Sequence, residues 1–570
     1  MINIQKAISN KYPTVKKIPK PFYQSFFTLL KKIIHENEIN LFLEENAHLE
    51  AFTFIETVLD FLNFTYKATA NQIENIPKRG RIIIIANHPL GALDALTLID
   101  LIKKVRTDIK IVANDMLSSI TQLQSILIQT DNINGKFSKK SYQQISTALE
   151  NEMAVIIFPS GTVARISPKG IKDSKWHKGF LIYALNTYSP ILPVYIKAKN
   201  SPIFYTISSI NKTFSSSLLS HEIFQKKDKD LEFKIGEVIP HTSFANAHNN
   251  IIFYVNLFKK HLYKIAKNKK SVFQTQKCIA HPEERQTLKK ELKAAKLIGK
   301  TQDNKKIYLA KYDDSPALMR EIGRLREFTF RKVEEGTGQK RDNDKFDSYY
   351  KHIILWDENT LELVGSYRIG DGINILKKYG IKGFYSASLF SFSKNTEDFL
   401  PHSIELGRSF VQPQYWGSKS LDYLWQGIGA YLRYNPHIYY MFGAVSLSNS
   451  LPKTAKNLIV YYFNLYYGKP GIVTAKNPFI INKEEIEGIE NLFDGNNKKK
   501  DFLKLKEQLR YMGTAVPTLY KQYANLCDEG GISFMAYNID HAFNSCVDSF
   551  ILIDKNKIKS EKKKRYLNGI

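Results

Sequence analysis

The sequence predicts an α/β fold in two domains, each a sheet flanked by helices, with the first sheet parallel-rich. Three observations predict it. Continuous apolar runs at Ile82–Ala86, Ile109–Ala113, Ala154–Phe158 and Ile191–Ile196 have the character of strands buried on both faces. Helix-like segments, Leu93–Lys104, Tyr142–Glu150 and Gly179–Thr187, stand between them, and such alternation builds parallel sheets. At 570 residues the chain is longer than one hydrophobic core ordinarily serves.

Taken in order, residues 1–68 predict N-terminal helices. Phe26, Phe27, Leu29, Leu30 and Ile33 recur at helical spacing beside Lys31 and Lys32, and Phe52, Ile55, Val58, Leu59 and Leu62 repeat the pattern. These segments fit two uses: covering a core, or lying as a basic amphipathic surface on anionic lipid. Residues 69–266 hold the alternation of the first domain. The texture turns charged at Lys267, so 267–300 is expected to be a linker with a polar helix over Glu283–Lys296. Residues 301–570 form the second domain, with a helix over Ser315–Lys332 and strands near His352–Trp356 and Leu363–Ile369. The lysine-rich stretch Lys555–Arg565 is expected to be a solvated end.

Hydrophobic residues make up 43% and charged residues 24%, which excludes a disordered chain. The net charge of +27 favours an acidic partner: an anionic membrane face, an acidic carrier protein or nucleic acid. No nucleic-acid-binding signature stands out, and nucleic acid is set aside. Cys278, Cys527 and Cys546 show no C-x-x-C spacing. A disulfide framework or metal site is therefore not expected, and a reducing cytoplasm fits. The first residues lack the apolar core of a signal peptide, and no stretch reaches roughly 18 uninterrupted apolar residues. A cytoplasmic protein, peripheral on the inner membrane face, is expected.

His88 follows a predicted buried strand almost directly, where ligand sites lie in α/β sheets. Asp94 opens the next helix. A histidine with an orienting carboxylate is the equipment for removing a proton from a hydroxyl. Phe158, Pro159, Ser160, Gly161 and Thr162 follow a second strand, and Arg165 suits an anionic head group. Pro190 to Val194 completes the set. Over roughly residues 70–200 the chain resembles the glycerolipid acyltransferases, with their N-H-x-x-x-x-D and F-P-E-G-T-R boxes. It departs twice: Asp94 is six positions after His88, not five, and Ser160 replaces the glutamate. Both departures resemble the acyltransferase half of ornithine lipid synthases and the related proteins labelled hemolysins. The resemblance implies His88 and Asp94 as catalytic residues, with Asn87, Ser160, Gly161 and Arg165 binding substrate. It also implies a lyso-aminolipid acceptor.

The second half carries Arg326 with Phe330, Asp344 with Asp347, Gly365 with Arg368, and Glu405 with Arg408. This order resembles the GNAT-like N-acyltransferases of the ornithine lipid pathway and, more distantly, the acyl-homoserine-lactone synthases. Glu405 fits the acceptor of an amine proton. Asp344 and Asp347 fit a cationic amino acid, and Arg368 and Arg408 its carboxylate; Arg326 joins the binding set. A salt-bridge lattice is the structural alternative for these residues. Gln414 to Lys419 is similar to a phosphopantetheine loop without its second small residue.

Together the resemblances imply two acyl transfers in series, with no bound cofactor and an acyl-carrier-protein phosphopantetheine thioester as donor. The second domain would N-acylate ornithine with a 3-hydroxyacyl group, and the first would O-acylate the new 3-hydroxyl. The alternative is a lysophospholipid acyltransferase whose C-terminal half is a regulatory or carrier-binding module.

Overall fold

The computed structural model describes residues 20–113, 120–129, 139–168, 170–210, 218–396 and 398–567. Residues 1–19, the start of the expected N-terminal helical region 1–68, lie outside them. The chain divides into two compact units, Met1–Cys278 and Ile279–Ile570.

The first unit is built on seven strands: β1 (Thr65–Lys67), β2 (Ile82–Ala86), β3 (Ile109–Ala113), β4 (Leu127–Gln129), β5 (Ala154–Ile157), β6 (Ile191–Lys197) and β7 (Asp230–Ile235). Their order is β1-β7-β6-β2-β5-β3-β4, and all neighbours are parallel except β6 and β7. Every side chain of β2 and β5 is buried, because helices cover both faces. Residues 20–67 form three helices, Lys20–Ile33, Glu36–Glu45 and Ala51–Phe61, and then β1. Phe54, Ile55, Leu59 and Leu62 pack into one face of the sheet's core, while Leu29, Leu41 and Phe61 stay exposed.

The second unit has an eight-stranded sheet. Its strands are β8 (Lys296–Lys300), β9 (Lys306–Lys311), β10 (Lys351–Asp357), β11 (Glu362–Asp371), β13 (Ser403–Val411), β14 (Tyr440–Leu447), β16 (Ile532–Asp540) and β17 (Cys546–Asp554). The order is β16-β17-β14-β13-β11-β10-β9-β8, and β12 (Phe390–Phe392) pairs separately with β15 (Val473–Ala475). One pair is parallel: β13 and β14 stay in register only over Ser403–Glu405, and both strands then run on. A Cβ at Gly443 would collide with the Leu406 carbonyl oxygen, so glycine permits this close approach just before the strands part.

Part of the expected linker belongs to the second unit. The polar helix, observed over Arg285–Ala294, buries Leu288 and Leu292 in a core shared with the helix Pro316–Lys332, and β8 begins at Lys296. The expected solvated end also docks. Tyr566 is buried, and its hydroxyl donates to Asp422 Oδ1 at 2.8 Å on the helix Ser420–Tyr434. The aromatic side chains of Tyr462 and Phe463 pack into the main core. No helix among the described residues is long and apolar enough to cross a membrane.

Candidate active sites

In the first unit, β2 delivers His88 to the carboxyl end of the parallel sheet. The Asn87 side chain fixes this exit: its Nδ2 donates to the Ile196 carbonyl at 2.9 Å, and its Oδ1 accepts from the Ile196 N–H at 2.7 Å. Gly91 turns the chain with φ of 95°, a left-handed value that favours glycine, and the helix Ala92–Lys103 starts there. Asp94 is fully buried in the first turn of that helix. Its Oδ2 accepts the N–H groups of Leu90 at 2.7 Å and Gly91 at 3.0 Å and lies 3.1 Å from His88 Nδ1. Burial pushes the Asp94 carboxyl up, while His88 and the two backbone donors pull it back. The residue inserted between His and Asp thus falls in a loop whose N–H groups bind the aspartate.

Further groups brace the histidine. The His88 N–H donates to Asp173 Oδ1 at 3.1 Å, and Ala164 N–H donates to the His88 carbonyl at 2.7 Å. The Phe158 ring lies against the imidazole, with centres 4.4 Å apart. Asp173 also accepts from Trp176 Nε1 at 2.9 Å, and Lys259 Nζ donates to its carbonyl at 2.8 Å. Ser160 is buried, and its hydroxyl donates to the Thr162 carbonyl at 2.8 Å. It therefore shapes the turn in which Gly161 takes φ of 61°. The Arg165 guanidinium contacts the Ser208 hydroxyl on the helix Pro202–Ile210.

The second unit gathers Arg326, Asp344, Asp347, Arg368 and Arg408, whereas Gly365 pairs with Val411 at the far end of β11 and Gln414 bonds Glu362. Arg326 Nη1 donates to Asp347 Oδ1 at 2.8 Å, and Arg368 Nη1 donates to Asp344 Oδ1 at 2.6 Å and Asp347 Oδ1 at 3.1 Å. Arg408 lies 3.6 Å from Asp342 Oδ2 and 3.8 Å from Asp344 Oδ2. Three guanidinium groups thus face three carboxylates, almost without solvent. Burial works against charge on Asp347, but Arg326 and Arg368 hold its carboxyl well below the usual range. His352 is fully buried, with Nδ1 3.3 Å from Arg326 Nη2; burial and that guanidinium push the imidazole down to about 3.

Glu405 lies beside this lattice at the last residue of β13 that pairs with β14. Its Oε1 accepts the Ser386 N–H at 2.7 Å, and its Oε2 accepts the Tyr385 N–H at 2.9 Å and the Tyr350 hydroxyl. Burial pushes its carboxyl up, against those donors. Beyond Glu405, Arg408 adopts φ of 48° and stacks against Tyr385 and Phe543, 4.9 and 4.8 Å from the ring centres. Glu335, Asp540 and Asp548 flank it. Ser446 Oγ donates to Glu335 at 3.1 Å, and Tyr385 donates to Asp540 at 3.4 Å. Burial first, and then the neighbouring carboxylates Asp540 and Glu335, push Asp548 up to about 8.

Known proteins resemble both units. The acyltransferase family profile matches residues 7–271, and the acetyltransferase (GNAT) domain profile matches residues 325–426. A glycine N(alpha)-acyltransferase of Phocaeicola vulgatus is 33% identical over 306 residues, covering 51% of this chain and 93% of the relative. The chain belongs to the aminolipid acyltransferases. A lyso-glycine lipid O-acyltransferase of Bacteroides thetaiotaomicron is 28% identical over 251 residues, 43% of this chain and 90% of the relative. An L-ornithine N(alpha)-acyltransferase of Brucella abortus is 33% identical over 121 residues, 20% of this chain and 41% of the relative. Among solved structures, the 1-acyl-sn-glycerophosphate acyltransferase of Thermotoga maritima covers 43% of this chain and 97% of its own at 19% identity, with a TM-score of 0.26.

Several groups of this acyltransferase escaped the sequence reading. Asp173, Lys259, Tyr350, Tyr385 and Asp548 lie far along the chain from the residues they serve, and nothing in their spacing marks them. Asp342 had a signal: it sits two positions before Asp344 in the same acidic run.

Proposed function

We propose that the chain performs two acyl transfers in series on an aminolipid. The second unit N-acylates an amino acid with a 3-hydroxyacyl thioester, and the first O-acylates the new 3-hydroxyl. One observation carries this reading: the two halves of a single chain match, nearly end to end, relatives named for the two successive acylations. The product of one reaction has the functional group consumed by the other.

In the first unit His88 is the base. Its Nδ1 faces Asp94, leaving Nε2 for the acceptor hydroxyl. As the hydroxyl oxygen attacks the thioester carbonyl, its proton passes to Nε2; the C–O bond forms, the C–S bond breaks, and the imidazolium returns the proton to the departing thiolate. Buried Asp94 holds the ring in one orientation and stabilises its cation. Asn87 and Asp173 position the histidine backbone.

For the amino acid we favour glycine over the ornithine expected from the motifs. The glycine-named relatives are matched over most of their length. Asp344 and Asp347, expected to hold a cationic side chain, are bonded to arginines instead. Glu405 is reassigned from proton acceptor to positioning residue, because both oxygens are occupied and buried. It ties the Tyr385–Ser386 turn to β13.

The donor in this reading is acyl carrier protein, whose acidic surface suits a chain of net charge +27. The same charge supports work at the anionic inner face of the membrane, where the product must go. The reading is tested in a host without aminolipids. Expression is expected to yield an amine-containing, phosphorus-free lipid by mass spectrometry, and His88→Ala to accumulate the monoacylated form. Absence of any such lipid would sink the proposal.

A further inference from the structure

Three lysines of the second unit meet on one face of adjacent strands. Lys311 and Lys351 are direct partners across the antiparallel β9/β10 pair, where like charges repel at close range. Lys296 of β8 is the partner of Leu309, and side chains two residues apart on a strand share a face, so Lys296 lies on the side of Lys311. All three line a cavity of about 460 Å³, closed on its other side by Tyr431, Tyr434 and Asn435 from the end of the helix Ser420–Tyr434.

The charges in this cavity are poorly compensated. Lys296 Nζ lies 3.9 Å from the centre of the Tyr434 ring, and Lys351 Nζ lies 3.1 Å from the Tyr431 hydroxyl. Asp371 approaches Lys351 at 3.9 Å, too far for a direct hydrogen bond, and Asp314 is the one carboxylate among the lining residues. Burial, together with Lys311 and Lys296, pulls the Lys351 ammonium below its ordinary range against the attraction of Asp371. Folding has brought three cations together, Lys351 half-buried and Lys296 and Lys311 exposed, where a bound anion would compensate their charge.

We propose that this cavity binds a small molecule carrying a phosphoryl or diphosphoryl group. Three ammonium groups offer nine N–H donors, one of them directed to the Tyr431 hydroxyl, and the others match an oxyanion with several acceptor oxygens and more than one charge. The volume suits a small molecule better than a protein surface. The two tyrosine rings provide walls for its organic part, and the Asn435 amide a neutral hydrogen-bonding partner.

The experiment is calorimetric titration of the full chain with inorganic pyrophosphate, repeated with protein bound to phosphatidylcholine vesicles containing phosphatidate. Wild type is expected to bind one pyrophosphate saturably. Lys311→Glu is expected to weaken binding by roughly tenfold or more, and Lys296→Gln by a smaller factor, since each removes a charge-assisted contact. Both positions are exposed, so both variants are expected to fold. Loss of the pyrophosphate signal on phosphatidate vesicles would identify a lipid headgroup as the source of the phosphoryl group; its retention would identify a soluble one. Lack of saturable binding overturns the proposal, as does binding that both substitutions leave unchanged, which would belong to the general positive surface. Binding of acyl carrier protein but not pyrophosphate, abolished by Lys311→Glu, also overturns it in favour of protein docking.

Discussion

The His88 site and the Arg326–Asp347–Arg368 lattice are both made of charged groups, yet they are built oppositely. His88 keeps part of its side chain exposed, with one ring nitrogen against Asp94 and the other left for a reactant in the proposed mechanism. Arg326, Arg368 and Asp347 are sealed from solvent and paired with one another, although Arg326 Nε and Arg368 Nε and Nη2 are buried without a hydrogen-bond partner. A group that must exchange protons has to remain incompletely coordinated and reachable. A group that fixes a fold gains by charge pairing, because a buried charge without partners costs several kcal/mol, of order 3–5 when one partner is removed. In the proposed reading Glu405 falls on the lattice side of this contrast.

The largest effect that would sharpen it is kinetic. His88→Ala is expected to lower O-acylation of a supplied lyso-lipid by roughly 10²–10⁴-fold, the usual worth of general base catalysis, with little change in thermal midpoint. A large loss of stability with it would blur the division. Arg326→Met should do the reverse. It removes one of the two arginine partners of Asp347, leaving Arg368, and is expected to cost about 3 kcal/mol of stability in the second unit, read by denaturant titration, while O-acylation persists.

Glu405→Gln comes next. A glutamine amide cannot accept three donors, so about 1–3 kcal/mol is expected to be lost, and N-acylation should fall without a change in the shape of its pH profile. If stability holds and the basic role vanishes from the profile, Glu405 is the proton acceptor after all.

The smallest effect concerns Asp548, whose folded-state carboxyl sits at about 8, above its unfolded value. The folded protein therefore binds the extra proton, and this stabilisation is lost as pH rises toward 8. The midpoint of Asp548→Asn relative to wild type is expected to climb between about pH 4 and pH 8 and then level off. A flat difference would place Asp548 in a wetter setting.

Much of the first unit was legible because its strands are buried on both faces. Ile82–Ala86 and Ile109–Ala113 announce themselves as apolar runs, whereas β7, exposed at Asp230 and alternating along its length, does not. The second unit hid more. The motif at Glu405 and Arg408 was visible, but not that it lies on β13, since Ser403–Val411 mixes charged and apolar residues without a clear alternation. The linker over 267–300 read as polar because Leu288 and Leu292 are isolated among lysines, although they anchor the helix in the core.

By itself the sequence determined the fold class, the pairing of His88 with Asp94 and the presence of two acyltransferase halves. These depend on residues close in the chain, or on patterns whose period reports burial. Only the tertiary structure decided which charged groups are spent and which are available. Asp344, Asp347 and Glu405 look equally ready for chemistry in one dimension; their partners Arg368, Arg326 and Tyr350 reach them only across strands and turns, and pairing is a property of those contacts.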